Sequence, residues 1–271
     1  MKQLLVKIFK FYILSNLHVA FSLLALYNIF NKNIDNYYAV FLVSSTVLSY
    51  NMIRFFSFKT NRFFIKKFVI KHQAWFIGII VLSTFLSFYS FIYFAKIIKL
   101  LLIPFFGLTL FYNLNFSFLP FGKLRKNGVI KIVVVALVWS GLLVFIPEFS
   151  SIYHSGNYLN TCLVCVFVFI YVLMLTMSFD QRDLLIDNSN LRTLPQLYSK
   201  YLIYFYVFFN AILTLIAYVY TDSLLAFSIY IFMINLSVLL CYKSTEHKNF
   251  YYTAFWIEGL PILWYFLQLI A

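Results

Sequence analysis

"SFDQRDLLIDNSNLRTLPQLYSK", Ser178 to Lys200, holds three of the chain's eight acidic residues, Asp180, Asp183 and Asp187, within eight positions. It follows the apolar run Leu159 to Met177 directly and leads straight into another, Tyr201 to Tyr220. Each run is about as long as a helix must be to cross a bilayer, so the polar stretch reads as a connection on one membrane face.

The same pattern extends over the whole chain. Of its 271 residues 63% are hydrophobic and 11% charged, and the mean hydropathy is +0.89, a balance that excludes a water-soluble globule. Nine apolar runs recur: Phe11 to Phe30, Tyr38 to Phe55, Ala74 to Phe94, Ile97 to Tyr112, Val129 to Ile146, Leu159 to Met177, Tyr201 to Tyr220, Leu224 to Cys241 and Tyr251 to Ile270. The expectation is an all-α integral membrane protein, one domain over residues 1–271 with nine transmembrane helices. Lys2, Lys7 and Lys10 precede the first run as they would in a signal peptide, but the run is too long and lacks a small-residue cleavage site, so it is expected to stay as the first span. Cys162, Cys165 and Cys241 all fall inside runs and suggest no disulfide framework; the CxxC spacing of the first two reads as small apolar side chains one turn apart.

Basic residues orient the spans. With the N-terminus inside, the inner segments carry 18 of the 21 lysines and arginines, and only Lys32, Lys96 and Lys99 fall outside. Cytoplasmic loops attract such an excess, so the chain is expected in a cell membrane with its N-terminus cytoplasmic. The net charge of +13 then reflects topology and anionic headgroups as partners, with no nucleic acid implied. The three long loops, Arg54 to Gln73, Asn113 to Gly128 and Ser178 to Lys200, all lie on the inner face, where a site open to the cytoplasm would be assembled.

Asp180, Asp183 and Asp187 are spaced i, i+3, i+7, which on a helix puts them at about 0°, 300° and 340°, one narrow face. Like charges so placed need a counter-charge, and hard carboxylate oxygens suit Mg²⁺, which commonly bridges to phosphates. The spacing fits equally a solvated acidic extension of the sixth span balanced by Arg182 and Arg192.

The segment "DQRDLLIDNSNLRTLP" resembles the second aspartate-rich motif of the UbiA-type intramembrane prenyltransferases, approximately DxRDxxxDxxxGxxTLP. Asp180, Arg182, Asp183, Asp187, Thr193, Leu194 and Pro195 match, with Asn190 or its neighbour where glycine is usual. The resemblance implies a nine-helix bundle with a cytoplasmic polar site, in which two aspartate-rich motifs hold Mg²⁺ on the diphosphate of a polyprenyl donor while its chain passes to an acceptor. "FYNLNFSFLPFGKLRKNGVIKIVVVALVW" and "FYYTAFWIEGLPIL" are weaker echoes of the family's fourth-to-fifth helix segment and last span.

The first motif, roughly NDxxDxxxD, is degenerate. In "SYNMIRFFSFKTNRFFIKKF" Asn51 matches the asparagine, but Met52, Phe55 and Lys59 stand at the aspartate positions, and Tyr38 to Phe94 holds no acid at all. Either Arg54, Lys59 and Arg62 contact a diphosphate directly, guanidinium groups standing in for a metal, or the chain has lost the chemistry and keeps only lipid binding; Lys59, Arg62, Lys66, Lys67 and Lys71 also suit a helix facing anionic headgroups. The resemblance adds Tyr112 and Lys123 beside the diphosphate. Glu258, the one acid in the last span, either lines the cavity or pairs with a polar span residue such as Asn210 or Asn235. The four histidines show no metal-ligand spacing, and no Gly-rich phosphate loop, GxSxG elbow or HExxH is present.

Two functions fit these residues: a Mg²⁺-dependent prenyltransferase acting on a polyprenyl diphosphate, and a catalytically silent protein binding that or another lipid on the same fold. A transporter would carry polar residues through several spans and internal repeats, which the chain does not clearly show.

Overall fold

The computed structural model describes residues 2–31, 33–56, 63–113, 127–149, 158–184, 191–244 and 249–270. Among these every regular element is helical. α1 (Lys2–Leu14) and α2 (Leu17–Phe30) are followed by α3 (Asn36–Phe56), α4 (Phe63–Lys71), α5 (Gln73–Ile92) and α6 (Lys96–Asn113). α7 (Gly128–Ser140) runs on through a π-helical turn, Gly141–Phe145, and α8 (Tyr158–Asp183) is the longest helix. The short α9 (Leu194–Tyr198) leads through a 3₁₀ turn into α10 (Leu202–Tyr220), and α11 (Leu224–Lys243), a second π-helical turn at Tyr252–Ile257 and α12 (Leu260–Ile270) complete the order.

Each of the nine apolar runs is helical where described, but fewer qualify as spans. Among the described residues six helical segments are long and apolar enough to cross a membrane: Gln73–Ile92, Gly128–Phe149, Tyr158–Asp183, Leu194–Tyr220, Leu224–Lys243 and Tyr252–Ile270. They mark a multi-pass membrane protein. The first run bends by 62° between α1 and α2 and brings the number to seven if that pair crosses as one. α3 carries Ser44, Ser45, Thr46, Ser49, Asn51 and Arg54, and α6 contains Lys96, Lys99 and Pro104. These two stand outside the six, so the described residues give six or seven of the expected nine spans.

The bend has a local cause. Asn16 is left-handed, with φ 63°, a conformation that asparagine tolerates better than most residues. Asn51 on α3 then satisfies the break: its Nδ2 donates to the carbonyls of Ser15 and Val47, both at 2.8 Å, and its Oδ1 accepts from Asn16 Nδ2 at 3.1 Å. Arg54, one turn later, donates to the Leu14 carbonyl at the end of α1. Carbonyls at a helix end buried in protein need such partners.

α8 is the axis of the bundle and packs against α7, α10 and α11. Its middle buries Phe167, Val168, Tyr171 and Met174. Around Trp264 of α12 close Tyr230 at 4.8 Å, Tyr171 at 5.4 Å, Phe167 at 5.9 Å and Phe30 at 6.0 Å between ring centroids, all in edge-on geometry. The interior is thus a packed aromatic core, while Trp75, Phe85, Phe88, Tyr204 and Tyr218 face outward, as lipid-facing side chains do.

Both π-helical turns release carbonyls that distant side chains use. Leu142 and Leu143 accept from Tyr38 Oη at 2.7 Å and Asn31 Nδ2 at 2.8 Å. Phe255 accepts from His18 Nε2 at 2.9 Å, which leaves the neutral ring's Nδ1 to accept from the Tyr12 hydroxyl, also at 2.9 Å. A Cβ on Gly259 would lie 2.5 Å from the Phe255 oxygen and 3.1 Å from His18 Nε2, so glycine there lets the imidazole reach the carbonyl. π turns of this kind recur at functional sites.

Candidate functional site

The end of α8 carries the acidic motif to one end of the bundle. Asp180, 1% exposed, is bonded to the ammonium of Lys131 on α7. Arg182 clasps its neighbour Asp183 through Nε to Oδ1 at 2.8 Å and Nη2 to Oδ2 at 3.1 Å, and donates from Nη1 to Thr253 Oγ1 at 2.5 Å. The guanidinium also lies over the rings of Phe179, 5.1 Å away, and Phe250, 5.0 Å away. A planar cation held by a carboxylate, a hydroxyl and two rings has a fixed orientation.

Behind it stands Glu258, which interacts electrostatically with Arg182 and with Arg54 of α3. Tyr50, one turn before Arg54, feels Glu258, Arg54 and Tyr112 and accepts from the Trp139 indole. Tyr50 and Glu258 are both half-buried, and their electrostatic partners bring residues of α3, α6, α7, α8 and the last span into one cluster. Glu258 is therefore not the partner of Asn210 or Asn235; those two bond each other at 3.0 Å.

The turn after the motif is built to close. Thr193 caps α9: its Oγ1 accepts from Gln196 N at 3.4 Å, while Gln196 Oε1 accepts from Thr193 N at 3.0 Å, with Pro195 in the first turn. Such reciprocal caps start helices. Gly128 opens α7 against this turn, where an added Cβ would lie 2.5 Å from Thr193 Cα. The residues "TLP" thus dock onto the helix that supplies Lys131.

Of the residues singled out in the sequence, Asp180, Arg182, Asp183, Arg54 and Tyr112 gather at this end. Asn51 lies close by, but its amide donates to Ser15 at the α1–α2 break and to Val47 on its own helix. Lys59, Arg62, Lys123 and Asp187 lie outside the described residues. Lys131, Thr253 and Tyr50 were not foreseen; a lysine one turn inside an apolar run was the available signal for the first of them, and no local pattern marks the other two.

Among the described residues no group of three His, Cys, Asp or Glu side chains is placed to hold a metal. Asp180 and Asp183 have suitable hard oxygens one turn apart, but here an ammonium and a guanidinium balance them. A divalent ion on this face would take the place of those cations. Cys162 and Cys165 are unbonded thiols, one exposed and one half-buried, as small apolar positions would be.

Comparison with protein-family models, curated proteins and solved structures finds no match for this chain.

Proposed function

We propose that the protein is a divergent UbiA-like membrane protein, with nine membrane-crossing or membrane-entering helices, that binds an isoprenoid diphosphate at the cytoplasmic end of its bundle. The observation that carries the reading is that Arg54, Tyr112 and Arg182, far apart in sequence, come together around Tyr50 and Glu258 next to Asp183, a cluster that would border a cleft for the diphosphate. Arg54 and Arg182 supply fork-shaped donors that match phosphate oxygens, and Lys131 adds a point charge at the rim. The carboxylates of Asp180, Asp183 and Asp187 are the side chains that would hold Mg²⁺, which neutralises charge on a departing pyrophosphate. With phosphate present, Lys131 and Arg182 would share their charge between carboxylate and phosphate oxygens, and the aspartates would be the side chains that hold the ion. The apolar chain would lie among the aromatic side chains of the helices; transfer would break its C–O bond to the departing pyrophosphate, form a bond to the acceptor and release the acceptor's proton to water.

A purified sample in nanodiscs tests this reading. Binding of geranylgeranyl diphosphate should depend on Mg²⁺, and Asp183→Ala should remove the dependence. Binding that ignores both Mg²⁺ and the aspartates would defeat the metal-dependent reading.

A second reading has its own support. Met52, Phe55 and Lys59 stand where the first motif would place carboxylates, and Asp180 is already neutralised by Lys131. A protein that keeps the lipid site without the chemistry has this pattern. It is favoured if the diphosphate binds and yet no diphosphate is released with any acceptor.

A further inference from the structure

Midway along α10 and α11, three polar side chains meet on the outside of the bundle. Asn210 Nδ2 donates to Asn235 Oδ1 at 3.0 Å, Thr214 Oγ1 donates to Asn210 Oδ1 at 3.1 Å, and Asn235 Nδ2 donates to the Ile231 carbonyl at 2.8 Å. Asn235 is exposed, on a stripe with Ser228, Phe232 and Leu239 that spaces as one helical face. Its position near the centre of a 20-residue span puts it roughly 15 Å from either headgroup region. Acyl chains offer an amide no partner, and each of the two carboxamides uses only one of its two N–H bonds within the network. Leaving such donors in hydrocarbon is strongly unfavourable.

We propose that this face of α10 and α11 is a membrane-embedded interface with a second copy of the chain. A carboxamide is both donor and acceptor, so a twofold arrangement that brings the Asn210–Asn235 patches together satisfies each copy with the other's groups and needs no further partner. Phe232 and Leu239 flank the amide and supply apolar packing on either side. The interface lies away from the Arg54–Arg182 cleft in composition and in the helix faces used, and does not depend on what that cleft binds.

The test is dimerisation of the full-length protein in liposomes, read by energy transfer between labelled copies as the protein-to-lipid ratio falls. Wild type should dimerise, Asn235→Gln should retain this, and Asn235→Leu and Asn210→Leu should each weaken it about tenfold, the size of one or two interhelical hydrogen bonds. Independently, Leu239→Cys in a background with Cys162, Cys165 and Cys241 replaced by alanine should cross-link between copies under mild oxidant, faster than Phe85→Cys on the outward face of α5. Monomers at every ratio, undiminished dimerisation of Asn235→Leu, or equal cross-linking at the two cysteine positions would overturn the proposal.

Discussion

Arg182 grips the carboxylate of its own chain neighbour, Asp183, with two parallel hydrogen bonds of 2.8 and 3.1 Å, while its remaining arm reaches Thr253 in the last span. The pairing ties the end of α8 to the final span and fixes the guanidinium plane at the cleft. Lysine keeps the charge but has neither the fork nor the flat face. Arg182→Lys should leave the protein folded, with diphosphate affinity lowered about tenfold or more, measured by equilibrium binding in nanodiscs.

The Lys131–Asp180 pair makes a different statement, about stability. Asp180 is buried in the bundle, so removing the ammonium takes a counter-charge away from a buried carboxylate, at a cost of about 3 kcal/mol. Lys131→Met should lower the unfolding midpoint in detergent markedly, and adding Asp180→Asn should recover most of the loss. Equal stability of Lys131→Met and wild type would show that the pair is not buried as described.

Asn51 holds the α1–α2 break and leaves its amide donors nothing further to give. Asn51→Ala removes three hydrogen bonds and should cost about 2–3 kcal/mol, with little change in diphosphate affinity of the folded fraction. A large loss of affinity at unchanged stability would return Asn51 to the ligand.

Two glycine substitutions should separate cleanly. Gly128→Ala drives a methyl group into the backbone of Thr193 and should destabilise by about 1–3 kcal/mol, whereas Gly107→Ala has open space and should be neutral or slightly stabilising. Thermal unfolding of the two variants side by side decides it.

The apolar runs, being a property of composition and length, announced nearly every long helix. What they could not announce was the break at Asn16, because a left-handed residue and its partners on α3 leave no trace in hydropathy, and so a single expected span became a bent pair. α3 hides its partnerships too: the Ser44 hydroxyl, the Asn51 amide and the Arg54 guanidinium all turn to backbone carbonyls. In the site, the DxRD spacing put Asp180, Arg182 and Asp183 together because one helix carries them. The partnership of Asp180 with Lys131, and of Arg182 with Thr253, is set by helix packing between segments 49 and 71 residues apart and has no local signature.

Equilibrium binding of a fluorescent polyprenyl diphosphate to the wild type and to Arg54→Ala, in nanodiscs of neutral lipid, bears most directly on the proposed role of the cleft. Inorganic pyrophosphate should compete for the wild-type site while the corresponding polyprenol does not, and Arg54→Ala should bind about tenfold more weakly or worse. Polyprenol competing as well as the diphosphate, with Arg54→Ala indistinguishable from wild type, would contradict a diphosphate site there.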